Sequence, residues 1–288
     1  MTDEPFVVPA SIQWLSRYGG GADWLDALPS LVAEQVQRWN LVLGSSFPGS
    51  NVSYVAPVTR TDGTHAILKV QWPHRDCEHE AAALAHWNGQ GAVRLLAHDA
   101  EQHTLLLERC EPGTYLASAA DPLAVFTELL PRLWTRAGVP FTPLADQAAH
   151  LADHLVGEWE EAGQPCGRRL VDAALGYLRD LPSSQGEQVL LHQDLHGHNV
   201  LAAQREPWLV IDPKPLVGER EFGLAPIVRS AELGHTRDQV CGRLDRLTSD
   251  LGLDRERTRG WAIAQTVAWG IEHPERHLAA AQWLLDDA

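Results

Sequence analysis

Apolar positions at helical spacing come early in the chain, and short apolar runs separated by turn signals follow them. The segment DWLDALPSLVAEQVQRWN has four apolar residues at helical spacing, namely Leu31, Val32, Val36 and Trp39. Asn40 is placed to end this helix. The next segment, LVLGSSFPGSNVSYVAPVTRTDGTHAILKVQW, has β-rich runs separated by GSSFPGS and RTDGT. The pattern predicts an N-terminal helix followed by a small antiparallel sheet.

Helical patterns dominate the remainder of the chain. EHEAAALAHWNGQGAVRLL predicts a helix that closes near Gly89, and TLLLERCEPG predicts a further strand that ends in a breaker. The pattern is mainly helical beyond this strand, interrupted by a hairpin in LLHQDLHGHNVLAAQREPWLVID. We therefore expect an α+β protein with two lobes. A small β-rich lobe covers residues 1–107, a hinge covers 108–112, and a larger, mainly helical lobe covers 113–288.

Polar side chains collect at the open end of the predicted hairpin. The strand-like runs VLAA and WLVI flank the polar turn QREP. If Ala203 faces Trp208, the antiparallel register places Asn199 opposite Asp212. An amide oxygen and a carboxylate side by side can share a hard cation such as Mg²⁺. Asp194 lies on the loop that enters the same end, where it is the third group beside the metal.

The spacing HxDxxxxN, followed by a strand and another Asp, is the phosphoryl-transfer pattern of kinases. In that chemistry the metal neutralises the phosphates, and a further carboxylate, here Asp194, orients the attacking hydroxyl. One alternative is that these residues only cap and turn a structural hairpin. Another is a zinc cluster of His192, His196 and His198, although the HExxH signature is missing. Otherwise we expect His192 to brace the catalytic loop through backbone hydrogen bonds.

A kinase also needs a lysine for the phosphates and an acid to hold it. Lys69 is the lone cation in the apolar strand HAILKV. Glu80 shares a helical face with Leu84 and Trp87, where the core stripe runs. Because a carboxylate on a buried stripe needs a partner, we predict that Lys69 pairs with Glu80; Glu78 is the alternative acid.

Two further segments are candidates for contacts with a nucleotide. The turn GSSFPGSN, which includes Ser50, would cover the phosphates with backbone amides, but it lacks the lysine of a P-loop. The segment LERCEPG is the expected hinge, where backbone groups from Glu108 to Cys110 would read the adenine edge. We expect the side chain of Cys110 to be inert.

Composition limits the partners and the location. The chain has 38 acidic and 23 basic residues, a formal net charge of −15, which argues against nucleic acid or an anionic membrane as the main partner. The four cysteines form no CxxC pair, the N-terminus is acidic where a signal peptide is basic, and no apolar run reaches bilayer length. We expect a soluble cytoplasmic protein, either a monomer or a homodimer.

The chain resembles the aminoglycoside phosphotransferase family, and within it the streptomycin 6-kinase and hydroxyurea kinase branch. The resemblance runs from WLDALPSLVAEQVQRWNL through ILKV, GAVRLL and LLLERCEPG to LHQDLHGHNVLAAQREPWLVIDPKPLVGE. The segment REPWLVIDPKPLVG is more specific for that branch than HxDxxxxN, which many kinases share. The resemblance implies a two-lobed, protein-kinase-like fold that transfers the γ-phosphate of ATP to a hydroxyl of a small molecule. It leaves open whether GTP replaces ATP.

Matching positions imply roles for five residues. The resemblance gives phosphate binding to Lys69 and Glu80. It gives catalysis to Asp194, and magnesium binding to Asn199 and Asp212.

One position departs from the family pattern. The family usually places an Asp before the dipeptide LA, where it braces the catalytic loop, whereas this chain has Gly223. Either a neighbour such as Glu221 substitutes for this Asp, or the loop is held less firmly. The departure keeps open a nucleotide-binding regulatory protein with little phosphotransfer.

The positive charge of an aminoglycoside acceptor suggests which residues would bind it. Streptomycin carries two guanidinium groups, so a site for it should offer carboxylates and flat apolar surfaces. The helix GWAIAQTVAWGIEH presents Trp269 and Glu272 at i and i+3, and Glu232 and Asp153 are further candidates. The alternative is that Trp269 belongs to the core and Glu272 is solvated. Hydroxyurea is small and neutral, so its site needs no lining of carboxylates. Another metabolite or an amino sugar is also a possible acceptor.

Overall fold

A five-stranded antiparallel sheet, in the order β1-β2-β3-β5-β4, dominates Met1–Gly113, the first of two units into which the chain divides. In this computed structural model the described residues are 6–271 and 274–287. The elements of the first unit are the 3₁₀ helices Ala10–Arg17 and Arg75–Cys77, helices α1 (Gly21–Arg38) and α2 (Glu80–Trp87), and strands β1 (Val42–Leu43), β2 (Ser53–Thr59), β3 (His65–Gln71), β4 (Leu95–Asp99) and β5 (Thr104–Glu108).

The predicted N-terminal helix is α1, and it packs on the sheet. Leu28 and Val32 of α1 belong to the same buried core cluster as Leu68 of β3. The helix ends at Arg38, and Asn40 follows with a φ of 52°. Asparagine tolerates this left-handed conformation, which explains why it marks the end of the helix.

The second unit, Thr114–Ala288, is mainly helical. Its helices are α3 (Pro122–Leu133), α4 (Leu144–Glu161), α5 (Arg168–Asp180), α6 (Ala225–Arg229), α7 (Arg237–Leu251), α8 (Arg255–Gly270) and α9 (Pro274–Leu285), with short 3₁₀ helices at Leu116–Ser118, Leu181–Ser184, Arg220–Leu224 and Ala231–Leu233. Its strands are β6 (Thr142–Pro143), β7 (Gln188–Leu191), β8 (Val200–Ala202), β9 (Trp208–Val210) and β10 (Leu216–Glu219).

Two small sheets and one buried helix position the polar loops of the second unit. Strand β10 pairs antiparallel with β7 and parallel with β6, while β8 and β9 form the predicted hairpin. Helix α8 is buried over most of its length, which includes Trp261, Gln265 and Val267. The sequence pattern does not reveal the β6-β10-β7 sheet, because the strands of this sheet are only two to four residues long. In the described part of the chain, no helix combines the length and the apolar character needed to cross a membrane.

Candidate active site

A buried ion pair links β3 to the first residue of α2. The Nζ atom of Lys69 lies 2.8 Å from Oε1 and 2.6 Å from Oε2 of Glu80, and both side chains are almost fully buried. The amide nitrogen of Gln71 donates a further hydrogen bond to Glu80 Oε2, at 2.7 Å. The alternative acid, Glu78, is exposed. The pair therefore fixes one lysine ammonium group on the sheet, which is the kind of cation that binds a phosphate.

Replacing Glu80 with alanine is expected to lower the free energy of unfolding by about 3–5 kcal/mol, because it leaves the Lys69 charge buried without its carboxylate. The matched control is Glu78→Ala, for which we expect a change within about 0.5 kcal/mol because the side chain is exposed. Urea denaturation of the two variants measures the difference. Equal midpoints for both variants would contradict the energetic importance of the pair.

The residues that resemble a catalytic loop lie between β7 and β8. The side-chain amide nitrogen of Asn199 donates to the backbone oxygen of Asp194 at 2.9 Å, which closes the loop on itself. This bond engages the amide nitrogen, so the amide oxygen is the atom of Asn199 suited to a cation. Asp212 is the second residue after β9 and has a left-handed φ of 57°. The negative charges of Asp194 and Asp212 both act to raise the pKa of the His192 imidazole, against the larger effect of burial.

The register of the β8–β9 hairpin differs from the prediction by one residue. Ala202 lies opposite Trp208, and the backbone nitrogen of Ile211 donates to the oxygen of Asn199 at 2.9 Å. Asn199 is therefore opposite Ile211, and the predicted Asn199–Asp212 pair across the ladder is wrong. Asp212 comes one residue later, where the chain turns out of the strand.

The turn of the hairpin explains the shift. The backbone nitrogen of Ala203 donates to the oxygen of Pro207 at 3.3 Å, so the ladder continues one residue further than predicted. The connecting loop therefore has the three residues QRE instead of the four residues QREP. Proline typically lies in turns, but it also fits at a strand edge where its missing N–H is not needed.

His192 braces the loop, as the sequence predicted. Its Nε2 atom lies 2.8 Å from the backbone oxygen of Ile211, and its own backbone oxygen accepts from the nitrogen of Lys214 at 3.0 Å. Burial lowers the pKa of His192 to about 4, against the opposing effects of the Ile211 bond and the nearby carboxylates. The imidazole is therefore neutral at pH 7, and it ties the catalytic loop to the segment after β9.

The buried His192 predicts a loss of stability in mild acid. In the unfolded chain this histidine titrates near 6.5 and in the folded chain near 4, so the unfolded state takes up the proton first as the pH falls. Between pH 6.5 and 4.5 this effect is expected to lower the unfolding free energy by about 2–3 kcal/mol, because one pKa unit corresponds to about 1.36 kcal/mol.

The measurement is urea denaturation at several pH values, with His192→Gln and the exposed-site control His86→Gln. We expect the glutamine at 192 to flatten the dependence of stability on pH, whatever its effect on stability at pH 7. The control should keep the slope of the unsubstituted protein. Parallel slopes for all three proteins would refute the assignment.

Two cations that the sequence pattern did not connect with Asp194 lie beside its carboxylate. The Nζ atom of Lys214 donates to Asp194 Oδ2 at 2.7 Å, and a guanidinium nitrogen of Arg229 lies 3.9 Å from Oδ1. Arg229 is buried and donates to Oε1 of Gln265 at 2.6 Å. Burial lowers the pKa of Arg229 to about 10, so the side chain stays charged at neutral pH. A carboxylate with two fixed cations can bind a hydroxyl next to an incoming phosphoryl group.

The composition contained a signal for Lys214. The chain has only two lysines, Lys69 and Lys214, while its other basic residues are twenty-one arginines. Because arginine serves every other cationic position, each lysine marks a place where a compact ammonium group is used instead. The signal for Arg229 was weaker, since it is a lone cation at the end of the apolar run GLAPIV.

The residues predicted to hold the acceptor make contacts within the second unit. Two protein cations lie over the ring of Trp269, with Lys214 Nζ at 5.2 Å and Arg229 Cζ at 5.1 Å from its centroid. Glu272 lies outside the described residues. Trp269 therefore supports the cations beside Asp194, and its role toward an acceptor stays a prediction.

Glu232 holds the catalytic loop from the segment after α6. Its Oε1 atom is hydrogen-bonded to Nδ1 of His196 at 3.1 Å, the backbone nitrogen of Gly197 at 2.9 Å and Oγ of Ser230 at 3.0 Å. Burial alone would raise the pKa of Glu232, but the bonds led by that from His196 lower it to about 2. Glu232 is thus an ionised brace of the loop.

The contacts of Glu232 matter for Gly223, which occupies the position where the family pattern has an aspartate. Gly223 lies in the 3₁₀ helix Arg220–Leu224, where an added Cβ would come within 3.2 Å of Leu191. Glu221, in the same short helix, is hydrogen-bonded to the backbone of Asp254. Glu232 supplies carboxylate contacts to the catalytic loop, although the sequence suggested this residue only for the acceptor.

The remaining candidates for nucleotide contacts, Ser50, Glu108 and Cys110, all belong to the first unit. Ser50 is in the loop before β2, and its hydroxyl donates to the backbone oxygen of Ser53. Glu108 is the last residue of β5, and its carboxylate accepts from the backbone nitrogen of Arg94 at 2.9 Å. Cys110 is buried beyond this strand.

The known proteins that this chain resembles are named as kinases or phosphotransferases. A family model described as aminoglycoside/hydroxyurea antibiotic resistance kinase matches residues 38–275. The chain is 39% identical to a streptomycin 6-kinase of Streptomyces glaucescens, over 92% of this chain and 90% of that protein. It is 38% identical to a hydroxyurea phosphotransferase of Kitasatospora aureofaciens, over 94% of this chain and 84% of that protein.

Solved structures show the same fold. The choline kinase LicA from Streptococcus pneumoniae matches with a TM-score of 0.64 at 16% identity, over 90% of this chain and 99% of that one. The aminoglycoside phosphotransferase APH(4)-Ia matches with a TM-score of 0.60 at 15% identity, over 90% of this chain and 96% of that one. The protein-kinase-like fold predicted from the sequence is confirmed, as is its α+β class.

Proposed function

The chain belongs to the aminoglycoside/hydroxyurea antibiotic resistance kinase family, and from this premise we propose that it transfers the γ-phosphate of ATP to a hydroxyl group of streptomycin or a similar aminoglycoside. It is thus a phosphotransferase that acts on a hydroxyl group. The observation that carries the proposal is the environment of Asp194, a carboxylate that is fixed by Lys214 and lies near Arg229.

Asp194 is the proposed catalytic residue. Its carboxylate would accept a hydrogen bond from the attacking hydroxyl and align that oxygen with the γ-phosphorus. As the new oxygen–phosphorus bond forms, the bond to the β-phosphate oxygen breaks and ADP leaves, while the hydroxyl proton passes to the carboxylate or to solvent. Lys214 and Arg229 would balance the negative charge on the transferred group.

Asn199 and Asp212 are the proposed magnesium ligands. An amide oxygen and a carboxylate are oxygen donors of the kind that Mg²⁺ prefers, so the residues present fit the ion. The corrected register places Asp212 one residue beyond the ladder position opposite Asn199, at the turn out of β9. Bound Mg²⁺ would neutralise phosphate charge during transfer.

Lys69, held by Glu80, is the proposed phosphate-binding lysine of the first unit. Ser50 stays a candidate for covering the phosphates, and the backbone from Glu108 to Cys110 stays a candidate for binding the edge of the adenine base. The family relation favours ATP over GTP.

Because the chain has only two lysines, Lys69 can be tested directly. An ATP acyl-phosphate probe, which acylates lysines that contact the phosphates, should label Lys69 in the protein, and excess ATP should prevent the labelling. Labelling that ATP does not reduce would contradict the assignment.

The acceptor is proposed to be cationic, in keeping with the net charge of −15 and the similarity to streptomycin 6-kinases. Trp269, Glu232 and Glu272 stay candidates for the acceptor side. A second candidate acceptor is hydroxyurea, which the 38% identity to a hydroxyurea phosphotransferase favours.

Mass spectrometry of acceptors incubated with ATP and Mg²⁺ tests the proposed function. The acceptors are streptomycin, other aminoglycosides, hydroxyurea and amino sugars, and each is compared with Asp194→Asn. We expect a phosphate-sized mass gain on streptomycin that requires Asp194. A gain on hydroxyurea alone would replace the acceptor and keep the reaction. ATP binding without acceptor-dependent ADP release would favour a regulatory, nucleotide-binding protein.

A further inference from the structure

Two histidines and one glutamate converge beside the catalytic loop. The ligand atoms of His196, His198 and Glu232 all lie within 4.8 Å of one another. His196 is two residues after Asp194, His198 directly precedes Asn199, and Glu232 comes from the 3₁₀ helix Ala231–Leu233. The cluster therefore joins residues that are 36 positions apart in the sequence.

The three side chains are already oriented by their neighbours. The rings of His196 and His198 are perpendicular, with centroids 5.9 Å apart, and the ring of His198 meets Tyr115 edge-on at 5.1 Å. The carboxylate of Glu232 is fixed by Gly197 and Ser230. Hydrogen bonds of this kind around a carboxylate also orient ligands in known metal sites.

The chemistry of the cluster selects a particular class of cation. Imidazole nitrogens suit zinc and its neighbours among the transition metals, whereas Mg²⁺ prefers oxygen ligands. Two histidines and one glutamate, with a fourth position left to water, form a recurrent zinc ligand set. Zinc bonds of about 2.0–2.1 Å bring tetrahedral ligand atoms to roughly 3.3 Å from one another, so modest closure is needed. His198 is exposed, and rotation of its side chain can supply that closure.

We propose that His196, His198 and Glu232 form a binding site for Zn²⁺ or a similar imidazole-preferring divalent cation, separate from the Asn199 and Asp212 pair. This site differs from the zinc alternative considered from the sequence. That alternative used His192, whose Nε2 atom is engaged by the backbone oxygen of Ile211. In the proposed site Glu232 is the third ligand instead of His192, and only the folding of the chain brings Glu232 near His196 and His198.

Zinc titration of the purified protein tests the site without any measurement of activity. Zn²⁺ is added in competition with a chromophoric zinc indicator, in excess Mg²⁺. We expect one equivalent of zinc to bind the unsubstituted protein. We expect His198→Gln and Glu232→Gln to weaken binding by at least about tenfold, because each removes one of three ligands. His198→Gln is the safer variant, since this side chain is exposed.

The matched control is a second histidine pair. His150 and His154 are one turn apart on α4, with ring centroids 4.3 Å apart, so they are the natural competitor for adventitious zinc. His150→Gln should leave zinc binding unchanged. Loss of zinc in His150→Gln, displacement of zinc by Mg²⁺, or equal affinity in His198→Gln and the unsubstituted protein would each overturn the proposal. Visible absorption of Co²⁺, with the strong bands of a four-coordinate site that disappear in His198→Gln, would support it.

Discussion

Substitution of Asp194 by asparagine is expected to lower phosphotransfer by roughly 10²–10⁴-fold while nucleotide binding is retained. Asparagine keeps the size of the side chain but loses the charge that aligns the acceptor hydroxyl and receives its proton. The backbone oxygen of Asp194, which accepts from Asn199, is unaffected by the substitution. The loss should therefore appear in kcat for the acceptor reaction, with little change in the affinity for ATP.

The comparison needs a variant with the same chemical change elsewhere. Asp238→Asn alters an exposed carboxylate in the first turn of α7, so its activity should match that of the unsubstituted protein. Coupled measurement of ADP release, together with equilibrium binding of ATP, separates chemistry from folding. Retention of more than about a tenth of the activity in Asp194→Asn would remove Asp194 from the catalytic role. Loss of ATP binding in the same variant would indicate a folding defect.

The sequence predicted the Lys69–Glu80 pair because both residues violate the pattern around them. A lone cation in an apolar strand and a lone acid on a buried helical face each need a partner, and β3 and α2 are close in the chain. The C-terminal end of α1 and the presence of the β8–β9 hairpin were predictable from local turn and capping residues. Such signals lie within a few residues of the element that they define.

The surroundings of Asp194 and the catalytic loop depend on distant segments, which no local pattern connects. Arg229 comes from α6 and Gln265 from α8, and their contact joins residues 36 positions apart. Lys214 lies 20 residues after Asp194 and reaches it only because the hairpin returns the chain to its starting point. Glu232 reached the loop in the same way, so its bracing role emerged from the fold and not from its neighbours in sequence.

The hairpin register shows the limit of local inference in another way. The polar run QREP was consistent with either a three-residue or a four-residue loop, and the difference moves Asp212 by one position along the ladder. In an antiparallel pair such a shift changes which side chains are neighbours. The sequence names the two oxygen donors by residue type, which stays a prediction, while their relation across the ladder required the backbone hydrogen bonds.

Substitution of Lys214 by methionine is the second change with a large expected effect, a fall in kcat of roughly 10²–10³-fold, as for loss of a fixed group that stabilises transition-state charge. The Nζ atom of Lys214 is 2.7 Å from Asp194 and 5.2 Å from the Trp269 ring centroid, so the ammonium group is fixed beside the proposed catalytic carboxylate. Methionine keeps most of the chain length and its contact with Trp269 but removes the charge. Because the positive charge acts mainly in the transition state, KM for ATP should change much less than kcat.

Arginine at the same position separates charge from geometry. Lys214→Arg retains a cation, but its planar group differs from a compact ammonium ion, so we expect it to recover only part of the lost rate. The ratio of kcat between Lys214→Arg and Lys214→Met is a readout that a structural role would not give, because only the arginine variant keeps a charge beside Asp194. Unchanged kcat in Lys214→Met would show that Lys214 only packs against Trp269, and the charge at Asp194 would then have to be balanced by Arg229 alone.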